Sequence, residues 1–231
     1  MEALLRLQDK DKVVMELEAG RQALEPEVET LDEELATAER ALEAAQARAE
    51  EAERQRTELE SKIEGYRIMQ ERRRQRLEWV RGAKEASTLM AELDLARTVL
   101  AKEEAEWVRS ADKVQEAARV VEEHEGAVAE LKQAQAPRRE ELAAQLADFD
   151  EKIGAARADR AEVAKTVKAS LQERYDRILQ GRAPLALYAL RNGACGHCFT
   201  AVPLHRRQKI LNGDSIEPCE ACGVLLYDQG E

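Results

Sequence analysis

Residues 24–42 read LEPEVETLDEELATAERAL, and their spacing decides the fold. Apolar side chains recur at alternating steps of four and three. Continued in the same steps, the series runs Leu24, Val28, Leu31, Leu35, Ala38, Leu42, Ala45, Ala49, Ala52, Arg56, Leu59, Ile63, Tyr66, Gln70, Arg73, Leu77 and Val80. Fourteen of these seventeen positions are apolar, and Glu, Arg and Gln dominate between them. A 3.5-residue repeat held this long is the seam of a left-handed coiled coil.

Upstream, Leu4, Leu7, Val14 and Leu17 mark an amphipathic helix. Gly20 weakens it and Pro26 predicts a kink or short break. Downstream, a second register runs Ala86, Leu89, Leu93, Ala96, Leu100, Glu103, Trp107, Ser110, Val114, Ala117, Val121, His124, Val128 and Leu131. Pro137 is expected to interrupt it before it resumes from Leu142 to Ile178. Two long helices with a short connection predict an antiparallel hairpin. Placing the two prolines at one level puts the tip between Arg81 and Gly82, within a turn region near 81–86, with Ser87 as the expected cap of the returning helix. The same register sets Trp107 opposite Arg56, and Ala45, Ala49 and Ala52 opposite Ser110, Val114 and Ala117. His124 and Glu103 read as register features of the seam. The helices hold no paired carboxylates, nucleophile–base set or phosphate loop.

Composition agrees with long helices. The 231 residues are 36% charged and 3% aromatic, which describes a coiled coil better than a globular core. A net charge of −11 repels nucleic acid, so any such contact requires a local basic patch. No apolar run spans a bilayer, and the first dozen residues lack a signal-peptide core. A cytoplasmic location is expected.

The four cysteines all lie near the C-terminus, as Cys195-Gly196-His197-Cys198 and Cys219-Glu220-Ala221-Cys222. Two CxxC turns facing each other bring four thiolates around one ion, so Cys195, Cys198, Cys219 and Cys222 are read as ligands of one structural Zn2+. A pair of disulfides would need an oxidising compartment. A thiol redox site would need βαβ units around Cys195, and it leaves the second CxxC without a role. Gly196 and Gly223 sit where tight turns favour positive φ. Gly181 and Pro184 end the helices, dividing the chain into a kinked hairpin over 1–181 and a zinc ribbon over 182–231. The ribbon is read as knuckle, strand, turn at Asn212-Gly213, strand, knuckle and final strand. The fold class is mainly α, with a small C-terminal β ribbon.

Two sets of cations are candidate contacts for nucleic acid or an acidic partner. On the ribbon these are Arg191, Arg206, Arg207 and Lys209, balanced by acidic neighbours. At the tip Arg72, Arg73, Arg74 and Arg76 stand out, with Trp79 as a partner anchor.

The segments Leu171–Ile178, Gly193–Cys198, Cys219–Gly223 and Leu225–Tyr227, with Val80-Arg81, Lys84-Glu85 and Glu92-Leu93 near the tip, carry a resemblance. The chain resembles the bacterial family with a C-terminal four-cysteine zinc ribbon on a long helical hairpin. The resemblance implies zinc on the four cysteines. It also implies partners such as an alternative sigma factor, secretion or flagellar export components, or messenger RNA. The family position before the final leucines is often arginine and here is Val224. The expected function is a non-enzymatic cytoplasmic adaptor that binds protein partners as a monomer or dimer. An RNA-binding regulator is the alternative, and a thiol redox protein the third reading.

Overall fold

The computed structural model describes residues 2–181, 183–212 and 216–228. In chain order these form α1 (Glu2–Gln22), α2 (Glu25–Trp79), α3 (Ala83–Ala164), α4 (Ala169–Leu179), β1 (Leu187–Arg191), β2 (Ala194–Cys195), α5 (Leu204–Leu211), β3 (Glu217–Pro218) and β4 (Leu225–Tyr227). The chain packs as two compact units, Met1–Pro26 with Glu140–Glu231, and Glu27–Arg139. The hairpin-and-ribbon division at residue 181 is drawn from sequence. Packing groups the ribbon with α1 and the end of α3.

The unit Glu27–Arg139 is an antiparallel helical hairpin. Partners descend along α2 as they ascend along α3: Arg76 with Glu85, Arg73 with Glu92, Arg67 with Glu104, Lys132 with Glu39, Arg138 with Glu27. The turn is Val80-Arg81-Gly82, where the register placed it. All seventeen seam positions from Leu24 to Val80 are buried or half-buried, as the repeat requires. Arg56 belongs to that seam because its guanidinium carbon lies 5.2 Å from the centre of the Trp107 ring. Trp107 Nε1 also donates to Glu60 at 2.9 Å, so the contact centres about half a turn nearer the tip than expected. The small residues meet: Ala45 and Ala117 border one cleft between the helices, Ala52 and Ser110 another.

Two expectations about the returning helix are corrected. Ser87 does not cap it; α3 starts at Ala83, with the Gly82 carbonyl accepting from Ala86 N–H at 3.0 Å. Glycine serves at an N-cap without a side-chain acceptor. Nor does Pro137 stop the helix, since α3 runs through it. The seam continues there through polar residues. Buried Gln135 donates to the Leu31 carbonyl at 3.2 Å and to Glu34 at 2.9 Å. Arg138 grips Glu27 with two bonds of 2.6 Å. These cross-helix bonds hold the strand of backbone that proline deprives of one helical hydrogen bond. Glu27 and Arg138 each follow one of the two prolines, so the one-level placement is met by this pair.

In the other unit, α1 runs antiparallel to the end of α3 through Lys10–Asp159, Arg157–Glu18 and Arg21–Asp150. Pro26 falls at the second position of α2, after a break at Ala23-Leu24, in the first turn where its missing N–H costs no helical bond. The second helix does not reach Ile178 unbroken: α3 ends at Ala164 and α4 begins at Ala169. Thr166 Oγ1 donates to the Val163 carbonyl at 2.7 Å, and Thr166 and Val167 N–H bond three residues back. Such side-chain competition and tightened bonding end a helix without proline or glycine. The break places Tyr175, fully buried, in a core with Leu4, Leu7, Val167, Ala186, Leu187 and Leu225.

Candidate metal centre

The ribbon sheet has strand order β2-β1-β4-β3, with β1 and β4 parallel and the outer pairs antiparallel. Its tight hairpin is Asn192-Gly193, with φ of 50° and 76°, between the pair Arg191 and Ala194. Two residues with positive φ make the turn that joins antiparallel strands, and Asn-Gly is its strongest sequence signal. The other Asn-Gly, at Asn212, was expected to be the turn; Asn212 instead caps α5, and Gly213 lies outside the described residues. Of the two strands expected between the knuckles, the first is instead the helix α5 and the second is present as β3. Ile210 of α5 packs with Val202, Cys195, Cys219, Val224 and Leu226, a demand of packing that overrides a short apolar pattern.

The two knuckles share one geometry. In the first, Phe199 N–H donates to the Cys195 carbonyl at 2.9 Å, and Phe199 has φ of 59°. In the second, Gly223 N–H donates to the Cys219 carbonyl at 2.8 Å, with φ of 80°. Gly196, expected to supply positive φ, is required for another reason. A Cβ there would stand 2.6 Å from the Ala189 carbonyl oxygen. The left-handed residue of the first knuckle is Phe199.

Each knuckle aims two sulfurs inward, and all four Sγ atoms lie within 4.8 Å of one another. The cysteines are free of disulfides, and two close approaches cross between knuckles: Cys195 to Cys222 at 3.8 Å and Cys198 to Cys219 at 3.6 Å. A tetrahedral ion with metal–sulfur bonds of about 2.3 Å has edges of about 3.8 Å, so the set fits one ion. His197 N–H points at Cys195 Sγ at 3.4 Å, the arrangement that stabilises a thiolate. The Thr200 hydroxyl and N–H hold the Cys198 thiol down, to about 6, whereas burial pushes Cys222 up to about 12 and raises Cys195. Cys198 is thus poised to ionise more readily than Cys195 and Cys222, and binding an ion at those two releases their protons. The His197 ring is not a member of the set; it tilts against Tyr188 at 4.8 Å.

The ribbon cations divide. Arg206 is committed internally, to the Pro218 carbonyl at 3.0 Å, to Glu220 at 3.0 Å and toward Glu217. Arg207 covers Gly193, where a Cβ would meet its guanidinium at 2.4 Å. Arg191 and Lys209 are exposed. At the tip, Arg73 and Arg76 pair across the hairpin, Arg72 and Arg74 are exposed, and Trp79 is 84% exposed. Sequence reading assigned no role to Gln8, which seats the ribbon through Leu187, or to Asp11 and Asp176, which with the register positions Arg160 and Tyr175 seat α4. Gln8 and Asp11 are polar residues on the apolar stripe of α1, and that signal was available.

Among the described residues no helix is long and apolar enough to cross a membrane. Residues 7–183 match the family described as CT398-like coiled coil hairpin domain. The chain is similar to the structure of CT398 from Chlamydia trachomatis, with TM-score 0.83 and 17% identity over 99% of this chain and 97% of that one. A Mycobacterium smegmatis structure matches with TM-score 0.66 and 20% identity over 98% and 96%. The HP0958 protein from Helicobacter pylori matches with TM-score 0.63 and 14% identity over 100% and 97%. Identities this low establish the fold. None of the curated proteins matches this sequence.

Proposed function

This chain belongs to the CT398-like coiled coil hairpin domain family, and from that premise we propose that it is a non-enzymatic cytoplasmic adaptor. It binds protein partners through its coiled-coil arm and its ribbon, which is folded around one structural Zn2+ held by Cys195, Cys198, Cys219 and Cys222. The closed thiol set carries this reading. Four sulfurs complete a tetrahedron, which leaves no position for a water or substrate to be activated. Thiolate softness and tetrahedral geometry favour zinc among the available divalent ions. So small a ribbon has little core of its own, and metal binding becomes folding free energy. By the resemblance stated above, the partner is an alternative sigma factor or a component of secretion or flagellar export.

The test uses the full chain. Metal analysis is expected to return one zinc per chain, released as the four thiols are modified. Tagged chain recovered from native cytoplasm is expected to hold a stoichiometric protein partner after ribonuclease treatment. Capture that disappears with ribonuclease would replace this reading with RNA binding. A chain free of zinc that turns over a disulfide substrate through Cys195 or Cys198 would replace it with redox chemistry.

A further inference from the structure

At 100° per residue, Ile68, Arg72, Gln75 and Trp79 fall within about 60° of one face of α2, opposite the seam positions Tyr66, Gln70, Arg73 and Leu77. This outward stripe is unusual for a coiled coil. Ile68 is 45% exposed and Trp79, its last residue, is 84% exposed. A large aromatic left in water at the end of a helix, beside a three-residue turn, is the kind of rigid anchor that dominates binding interfaces. One edge of the stripe carries Arg72 and Arg76; along the other come Glu71 and Glu78, with Arg67 and Arg74 behind them. Arg76 reaches Glu85 at an exposed site, while Arg72, Arg74, Arg81 and Lys84 have no ion-pair partner among the described residues.

We propose that this stripe docks an amphipathic helix of a partner protein. Its apolar side chains cover Ile68 and Trp79, and its acidic edge meets Arg72 and Arg76. The two differently charged edges also set the direction in which the helix lies. A nucleic acid suits the surface poorly. A polyanion meets Glu71 and Glu78 along one side, and a single aromatic offers no platform for successive bases. The inference rests on the reading of the chain as an adaptor and names the partner's chemistry.

The experiment is selection of displayed 18-residue helical peptides on the intact chain. Enriched sequences are expected to carry Leu, Met or Phe at helical spacing with Asp or Glu along one edge. Binding is read by the anisotropy of a fluorescein-labelled peptide, and burial of Trp79 by the blue shift of its emission in a Trp107→Phe background. Trp79→Ala is expected to weaken binding at least tenfold with no change in thermal midpoint, because the side chain is exposed. Arg72→Glu is expected to do the same, and a peptide with Lys replacing its acidic edge is expected to recover binding to that variant. Equal binding by Trp79→Ala, enriched peptides without an acidic edge, tighter binding of a 20-nucleotide single-stranded RNA, or a Trp79-dependent dimer of this chain would each overturn the proposal. Repeating the capture from cytoplasm with the two variants separates the readings. A protein partner retained by both leaves the adaptor standing and removes the tip as its dock; no partner for the wild-type chain removes the adaptor.

Discussion

Gln8 and Leu187, 179 residues apart, exchange two hydrogen bonds. The Gln8 side-chain amide donates to the Leu187 carbonyl at 3.0 Å, and the Leu187 N–H donates to Gln8 Oε1 at 2.7 Å. β2 pairs with β1 only at Leu190 and Arg191, so the edge at Leu187 lacks a strand. Gln8, 4% exposed, completes that edge from α1. The ribbon is thereby tied to the helix that opens the chain. Replacing Gln8 with Leu keeps the bulk and strands two buried backbone groups. A loss of roughly 2–4 kcal/mol is expected in urea unfolding, together with faster exchange of the Leu187 amide. Unchanged exchange there would show that the seat is held by apolar packing alone.

Gly20 illustrates a helix residue whose absence of a side chain is structural. A Cβ there would lie 2.8 Å from Phe149 Cε1. Propensity alone gives Gly20→Ala a gain of about 1 kcal/mol. Overpacking against a ring costs roughly 1–3 kcal/mol, so net destabilisation is expected. Phe149→Leu in the same chain should recover part of the loss, read as a shift in thermal midpoint.

The buried phenol of Tyr175 donates to Asp11 at 2.8 Å, and Arg160 bridges Asp11 at 3.0 Å and Asp176 at 2.5 Å. Burial, reinforced by Asp11, raises the Tyr175 pKa above its ordinary 10.0. The unfolded chain therefore releases this proton first as pH rises. The stability the phenol contributes is complete below pH 10 and is lost above it. Tyr175→Phe should be less stable than wild type by about 1–3 kcal/mol at neutral pH. The gap should narrow above pH 10 in paired denaturation curves. A constant gap would mean that the phenol ionises no differently in the folded chain.

Phe199 and Gly223 occupy equivalent places in their knuckles, both with positive φ. Phe199 is 78% exposed, so its ring contributes little packing. Phe199→Gly should relieve roughly 1 kcal/mol of backbone strain and raise the thermal midpoint of the ribbon. Gly223→Ala should lower it by a similar amount. Opposite signs at the two sites are the diagnostic result.

Sequence alone determined the seam, because burial of a periodic stripe is a local rule repeated along the chain. It predicted the turn at Val80–Gly82, the Arg56–Trp107 contact and the grouping of the four cysteines. Each follows from spacing along one chain. Tertiary structure decided the rest. The split at 165–168, the helix at Leu204–Leu211 and the choice of Asn192-Gly193 as the hairpin all depend on what packs against them. Propensity is too weak to settle such short segments. The seating of the ribbon by Gln8, and of α4 by Asp11 and Arg160, joins residues far apart in sequence. Polar residues on the apolar stripe of α1 announced that partners were needed, and only the folded chain supplied them.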